Sequence, residues 1–116
     1  MSEFRIYHNK LITNDFEIEF EHVINKVEYI SKIFLVLLKI PKGSSEVNNL
    51  IALNEKGETL WRVQNVKDAF DIPKNTPYVS MNIIDSRIVK VTDFFGMRYS
   101  VDILSGKLID KECMMW

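Results

Sequence analysis

Apolar and polar residues alternate with a period of two in several stretches of this chain, and no other feature constrains its fold as strongly. In residues 16–21 the alternation is uninterrupted, so three hydrophobic side chains share one face of extended backbone. The opposite face carries three carboxylates, those of Glu17, Glu19 and Glu21. Helical periodicity is hardly found, which favours a mainly β chain.

Further segments predict short strands bounded by residues that tolerate turn dihedrals. Ile33–Leu38 is apolar throughout, and Pro41 and Gly43 follow soon after, which favours a central strand covered on both faces over a buried helix. A short helix is predicted over Asn65–Phe70, with Asn65 as its cap. The other strand candidates are Asn49–Leu53, Glu58–Gln64, Tyr78–Ile84, Arg87–Asp93, Met97–Asp102 and Lys107–Lys111.

Together with pieces around Ile6 and Leu11, these segments predict eight to ten short strands. We expect an antiparallel β-meander that closes as a sandwich, a strongly twisted sheet or a partial barrel, with at most one short helix. The 116 residues suit one domain over 1–116.

Composition limits the classes of partner. With 15 basic and 16 acidic residues, the net charge is -1, so the basic excess of a nucleic-acid-binding protein is missing. The longest apolar run, Ile33–Leu38, is far shorter than the ~20 residues of a membrane helix. Cys113 is the single cysteine, which excludes an internal disulfide and favours a reducing compartment. We expect a cytoplasmic protein without a nucleic-acid or membrane partner.

Catalytic and metal-binding motifs are not found in the sequence. His8 and His22 have no second histidine, cysteine or paired carboxylate at ligand spacing, which predicts no metal site. The chain has no Gly-x-Ser-x-Gly nucleophile turn. Residues 41–45 contain Lys-Gly-Ser but lack the first glycine and the ending of a phosphate-binding loop. We therefore predict no enzyme activity and no cofactor.

Two segments resemble the blade signature of quinoprotein-type β-propellers, in which an Ala-Leu-Asp strand end leads through a Thr-Gly turn to a strand ending in Trp. Ala52–Trp61 is similar to this signature but is one residue shorter and lacks the Thr. Ser100–Ile109 is similar as well, with Asp102 and Ser105 at the Asp and Thr positions, but Asp110 follows where the family has Trp. A propeller needs at least about four four-stranded blades, more than 116 residues can supply. The resemblance therefore implies the hairpin geometry alone and says nothing about quinone binding.

The turn residues of both segments have a physical reason of their own. A short polar side chain at Asn54 or Asp102 accepts hydrogen bonds from the turn backbone, and Gly57 or Gly106 adopts positive φ. Trp61 lies on a predicted strand beside Leu60 and near Val63, which predicts a core position.

Two surface features are candidate partner contacts. Glu17, Glu19 and Glu21 lie ~6.5–7 Å apart along one strand face and would attract a basic partner. The alternative is a solvated face whose charges prevent edge-to-edge pairing. Phe94 and Phe95 precede a predicted turn glycine, and two consecutive rings cannot both enter one core. One ring is then an interface anchor, unless the turn folds over the sheet and covers both.

We predict from this a non-enzymatic protein-binding domain. Its sharper form is an immunity protein that neutralises a bacterial toxin nuclease, similar in kind to small bacterial toxin-immunity proteins, with the three glutamates facing a basic active site. Two alternatives stay open. One is a small-molecule-binding β-barrel or an enzyme with scattered acid/base residues, and the other is a structural subunit that forms a homodimer through the apolar tail Cys113–Trp116.

Overall fold

The structure is a computed structural model that describes residues 3–71 and 76–113. Within these ranges the chain forms eleven strands and one short helix, which confirms the predicted mainly β, antiparallel fold. The strands are β1 (Phe4–Tyr7), β2 (Lys10–Thr13), β3 (Glu17–Glu19), β4 (Ile24–Ile30), β5 (Ile33–Leu38), β6 (Leu50–Leu53), β7 (Thr59–Arg62), β8 (Tyr78–Ile83), β9 (Ile88–Asp93), β10 (Met97–Asp102) and β11 (Leu108–Cys113).

The meander is divided into three antiparallel sheets, each of which pairs only strands that are neighbours in the sequence. The N-terminal sheet contains β1 to β3, the middle sheet β4 to β7 and the C-terminal sheet β8 to β11. The middle and C-terminal sheets therefore have the same size and the same strand order.

One strand of the middle sheet, β4, has no signature in the sequence. Its pairing with β5 shifts register between Ile24 and Lys26, which marks a β-bulge. Because of the bulge, the buried side chains Ile24 and Val27 are three positions apart instead of two. Strand β4 is thus the strand beyond the eight to ten that the sequence predicts.

The two central strands of the middle sheet, β5 and β6, are buried on both faces. All six residues of β5 are buried, as predicted for a central strand covered on both sides. Ile33, Leu35 and Leu37 belong to the core shared with the C-terminal sheet. Phe34, Val36 and Leu38 belong to a second core that includes Leu11 and Phe20 from the N-terminal segment. The three sheets are therefore layers around two hydrophobic cores.

The helix α1 spans Val66–Ala69, inside the predicted segment. As predicted, Asn65 caps it: its side chain accepts a hydrogen bond from the Lys67 N–H at 2.9 Å. Among the described residues, no helix is long and apolar enough to cross a membrane.

The two hairpin turns have the expected chemistry. The Asn54 side chain accepts hydrogen bonds from the N–H groups of Lys56 and Glu58 at 2.9 and 3.0 Å. Asp102 accepts from the Leu104 N–H at 3.2 Å and from the Ser105 hydroxyl at 2.9 Å. Gly57 and Gly106, which lie at corresponding places in these turns, have φ of 85° and 76°. Such values favour glycine because it has no Cβ.

A tryptophan joins the middle sheet to the C-terminal sheet. Trp61 is buried, as predicted, and its Nε1–H donates a hydrogen bond to the Ile103 carbonyl at 2.7 Å. A Cβ on Gly106 would lie 2.5 Å from Trp61 Cδ2, so the indole packs directly on this glycine. Phe16 packs on Gly57 in the same way, since a Cβ there would lie 2.7 Å from Phe16 Cγ. Each joint between sheets thus includes an aromatic ring packed on a turn glycine.

Candidate functional site

The acidic segment has the predicted extended geometry. Phe20 is buried and Phe16 and Ile18 are half-buried, whereas the three acids between and after them are exposed. Strand β3 covers the centre of this segment and lies at an edge of the N-terminal sheet. The exposed acids are Glu17, Glu19 and Glu21.

Basic side chains lie beside two of these acids. Lys10 is the cross-strand neighbour of Glu19, and its Nζ lies 3.9 Å from a Glu17 carboxylate oxygen. Both partners of that pair are well exposed, so it contributes at most about 1 kcal/mol to stability. Arg5 and Glu17 both face Ile12 across the sheet, which puts a further cation on the same side. The outer face of the N-terminal sheet is therefore mixed in charge.

Glu21 belongs to a different cluster. Its carboxylate accepts a hydrogen bond from Arg62 Nη2 at 3.0 Å. A backbone hydrogen bond at Glu21 and this guanidinium hold the pKa of Glu21 below its usual value. The sequence could not predict this pair, because 41 positions separate the partners.

A possible cation-binding group lies next to this pair. His22 Nε2 is 3.0 Å from a carboxylate oxygen of Glu46, and the donor atoms of Glu21, His22 and Glu46 all lie within 4.8 Å of one another. Imidazole and carboxylate are zinc ligands. Arg62 already pairs with Glu21 and Glu46 with His22, so the group is satisfied as it stands. Sequence spacing missed it because Glu46 lies 24 positions from His22.

The two phenylalanines of the other predicted surface are both exposed. Phe94 is 73% exposed and Phe95 51%, so the turn does not cover either ring. The rings contact each other edge to face, with centroids 5.6 Å apart. The turn that carries them is fixed by the buried Asp93, whose carboxylate accepts hydrogen bonds from the Phe95 and Met97 N–H groups, both at 2.9 Å. A hydrogen-bonded turn therefore presents this apolar surface to solvent.

Phe94 and Phe95 line an open cleft of about 730 Å³, which we call the aromatic groove. The loop after β5, residues 39–44, and the chain entering β8, residues 76–79, form the rest of its lining together with Asn25. Most of the lining surface is apolar, with Ile40, Pro41 and Val79 as contributors.

A β-bulge exposes Val79 in this groove. Tyr78 pairs with Asp93 and Ser80 with Thr92, so Val79 is the extra residue on β8. Bulges at a sheet edge change the direction of a side chain. Val79 is 48% exposed, although it lies between the buried Tyr78 and residues of a regular strand.

A buried asparagine holds the two sides of the aromatic groove together. The Asn49 Nδ2–H₂ donates to the carbonyls of Leu38 and Tyr78 at 2.7 and 2.8 Å, and its Oδ1 accepts from the Tyr78 N–H at 2.9 Å. The same packing buries the Tyr78 hydroxyl, and burial raises the pKa of Tyr78. Asn49 is fully buried and links the middle sheet to the C-terminal sheet directly beneath the groove.

Most of the tail Cys113–Trp116, which is predicted to form a homodimer contact, lies outside the described residues. Only Cys113 of the tail belongs to a described strand, and residues 114–116 lie outside the described residues.

Comparison with known proteins supports the fold. BamB from Moraxella catarrhalis, a β-propeller, is similar to this chain with a TM-score of 0.58 and 16% identity, over 96% of this chain and 35% of BamB. The chain thus spans about a third of that propeller, which agrees in part with the blade resemblance of its two hairpins. None of the curated proteins matches the chain. Residues 1–113 match the model of the family described as "Domain of unknown function (DUF7957)", and the chain belongs to that family.

Proposed function

We propose that this chain is a non-enzymatic protein-binding domain and that the aromatic groove is its contact surface. The observation that carries the proposal is the exposure of Phe94 and Phe95 on a turn whose backbone donates two hydrogen bonds to Asp93. Exposed aromatic side chains in an apolar cleft are typical anchors of protein interfaces, because their burial by a partner removes a large apolar area from water.

The composition of the groove supports a binding role over catalysis. Among the described residues that line it, there is no histidine, cysteine or carboxylate. The titratable side chains among these residues are Lys39, Lys42 and Tyr78, so a carboxylate or imidazole acid/base pair has no candidate there. We also propose that the domain acts in the cytoplasm, on the basis of its single cysteine.

Site-specific photocrosslinking in the producing cells tests the proposal. A benzophenone amino acid in place of Phe94 is expected to give a discrete protein adduct. Leu104 is the matched control, since it is also an apolar turn residue and is 57% exposed, but does not line the groove. Adducts of equal yield from both positions, or none from Phe94, would contradict the proposal.

The narrower form of this proposal is an immunity protein whose partner is a basic toxin nuclease. It is supported by the exposure of Glu17, Glu19 and Glu21, and weakened by the neighbouring Lys10 and Arg62, which reduce the negative potential. The test is capture of a toxin encoded beside the gene by the wild-type chain and by the variant with all three glutamates changed to lysine. Equal capture would remove these residues from the contact.

The volume of the aromatic groove favours a second candidate function, binding of a small molecule. About 730 Å³ lies within the range of ligand pockets, ~300–1,000 Å³. A metabolite panel in a thermal-shift assay tests this candidate, and Phe94→Ala is expected to abolish any shift. A flat response across the panel counts against it.

A further inference from the structure

We propose that the aromatic groove selects a partner segment that is both apolar and acidic. This inference rests on the proposed function of the groove as a protein contact, and it adds the chemistry of the segment that binds. Lys39 and Lys42 are the only charged side chains among the described residues that line the groove.

Both lysines are available to a partner. Lys39 and Lys42 are exposed, and neither forms an ion pair with another described residue. Other basic side chains, such as Lys10 and Lys90, already lie beside carboxylates of this chain. A carboxylate of a bound segment would therefore find two unengaged ammonium groups next to the apolar surface.

The preference for an acidic segment comes from the groove and not from the net charge of the chain. The chain carries a net charge of -1, so its overall field does not attract anions. Complementarity at the groove itself must then decide the sign of the preferred segment, by favouring acidic residues and disfavouring basic ones close to the lysines.

The groove selects apolar residues through side chains that stand on hydrogen-bonded or paired backbone. The Phe94–Phe95 turn is held by Asp93, and the bulge at Val79 belongs to a paired strand. Because the backbone that carries these side chains is already held, binding has to order less of the chain than it would on an unpaired loop. Aliphatic or aromatic residues of the segment would bury these side chains.

A single-stranded nucleic acid also combines negative charge with flat apolar rings, but the geometry of the two phenylalanines disfavours it. Their ring planes meet at 84°, so they do not present two parallel platforms to successive bases. A peptide segment does not need parallel aromatic platforms in order to bind. We therefore infer an acidic, apolar peptide and treat the oligonucleotide as an outcome of the test.

The first experiment is selection from a phage-displayed random peptide library on the wild-type chain, after depletion on the Phe94→Ala/Phe95→Ala variant. Both rings are exposed, so this variant is expected to fold, which circular dichroism checks. Enriched peptides should carry net negative charge together with aromatic or aliphatic residues. Neutral or basic enriched peptides would overturn this inference and leave the proposed function intact. No enrichment over the depleting variant would contradict both.

The second experiment measures the affinity of one enriched peptide by fluorescence anisotropy. Lys39→Glu/Lys42→Glu is expected to weaken binding about 10-fold, because two attractions become repulsions. Lys56→Glu/Lys107→Glu changes the net charge equally at exposed turn residues outside the groove and should weaken binding less than about twofold. Lys39→Gln/Lys42→Gln serves if the glutamate variant does not fold.

Equal loss in the groove variant and in its control would overturn the inference. So would an oligothymidylate that displaces the peptide and binds more tightly than it does. In that case the ligand is a single-stranded nucleic acid, and Phe94 and Phe95 are still part of the site.

Discussion

The middle and C-terminal sheets have the same strand order and similar turns, but the central strands of the first are buried on both faces and those of the second on one. The two sheets can be aligned by their turn residues Asn54 and Asp102. Two residues before each of these lies the centre of a cross-strand row of three residues, and the two rows then match. In the middle sheet this matched row is Leu35, Ala52 and Trp61. The corresponding row in the C-terminal sheet is Lys90, Ser100 and Asp110.

The difference between the rows shows what ends the stack of sheets. The apolar row lies in the core against the C-terminal sheet. The polar row faces away from it, where Lys90 Nζ lies 2.9 Å and Arg98 Nη1 3.9 Å from Glu112 Oε1. The matched row is thus apolar in the sheet that packs against a further layer and polar in the sheet that does not.

Giving a residue of one row the character of its counterpart in the other row should have the largest effect on the free energy of unfolding. Leu35→Lys would bury a charge without a partner, and we expect loss of more than about 4 kcal/mol of unfolding free energy. Lys90→Leu removes one ion pair that is partly exposed and should change this free energy by about 1 kcal/mol or less. Urea denaturation followed by circular dichroism measures both. Similar losses in the two variants would show that the faces are not as different as their burial indicates.

Alanine in place of Gly106 or Gly57, the turn glycines on which aromatic rings pack, should have the next largest effect on the free energy of unfolding. Gly106→Ala places a Cβ against an indole that its hydrogen bond to Ile103 holds in place, and we expect a loss of about 3 kcal/mol. Gly57→Ala meets the half-buried Phe16, which can move outward, so the loss should be about 1–2 kcal/mol. Chemical denaturation of both variants tests the order, and a larger loss at Gly57 would reverse it.

The two asparagines of the middle sheet sharpen the comparison further. Asn49→Ala leaves buried groups of Leu38 and Tyr78 without their partner and should cost about 2–3 kcal/mol. Asn54→Ala affects a turn in contact with solvent and should cost about 1 kcal/mol. Thermal unfolding gives the order, and the Asn49 variant should also weaken binding at the aromatic groove. A mild Asn49 variant would mean that water replaces its hydrogen bonds.

The smallest expected effect is a difference in pH dependence between the two turns. Hydrogen bonds from the Ser105 hydroxyl and the Leu104 N–H, with nearby Arg87, lower the pKa of Asp102. A lowered pKa stabilises the fold above the unfolded-state pKa of about 3.9, and this contribution is lost as pH falls through the folded-state pKa.

Asp102→Asn should remove that part of the acid sensitivity, which we expect to stay below about 1 kcal/mol because the carboxylate is partly exposed. Asn54→Asp should not reproduce this dependence in the middle sheet, because the Asn54 amide donates to a Glu58 carboxylate oxygen at 2.9 Å and a second carboxylate there would be repelled. Unfolding free energies between pH 3 and pH 7 test both variants. An Asp102→Asn variant with unchanged acid sensitivity would contradict the assignment.

The fold follows from the sequence wherever backbone geometry is regular. Alternation predicts which side of residues 16–21 is buried, and the continuous apolar run predicts that β5 is covered on both faces. Strand β4 has no such signature because its bulge breaks the period. The turn residues Asn54 and Asp102 are predictable because their hydrogen bonds are local.

The candidate site can be predicted from the sequence only in part. Two adjacent rings at a turn predict that one of Phe94 and Phe95 is exposed, whereas the structure exposes both. The cleft around them is not predictable, because segments 39–44 and 76–79 meet there through tertiary packing. Nor does the sequence show that Arg62 lies beside Glu21 or that Asn49 supports Tyr78, since these contacts join residues 41 and 29 positions apart.

The pairing of each described strand with its sequence neighbours has a kinetic consequence. Closing a hairpin loses less chain entropy than joining distant segments, so every ladder can form soon after its strands leave the ribosome. The shared hydrophobic cores, the aromatic–glycine joints and the Asn49 contacts form only when a second sheet is present. We therefore expect the hairpins to form early and the docking of the layers to limit the rate of folding.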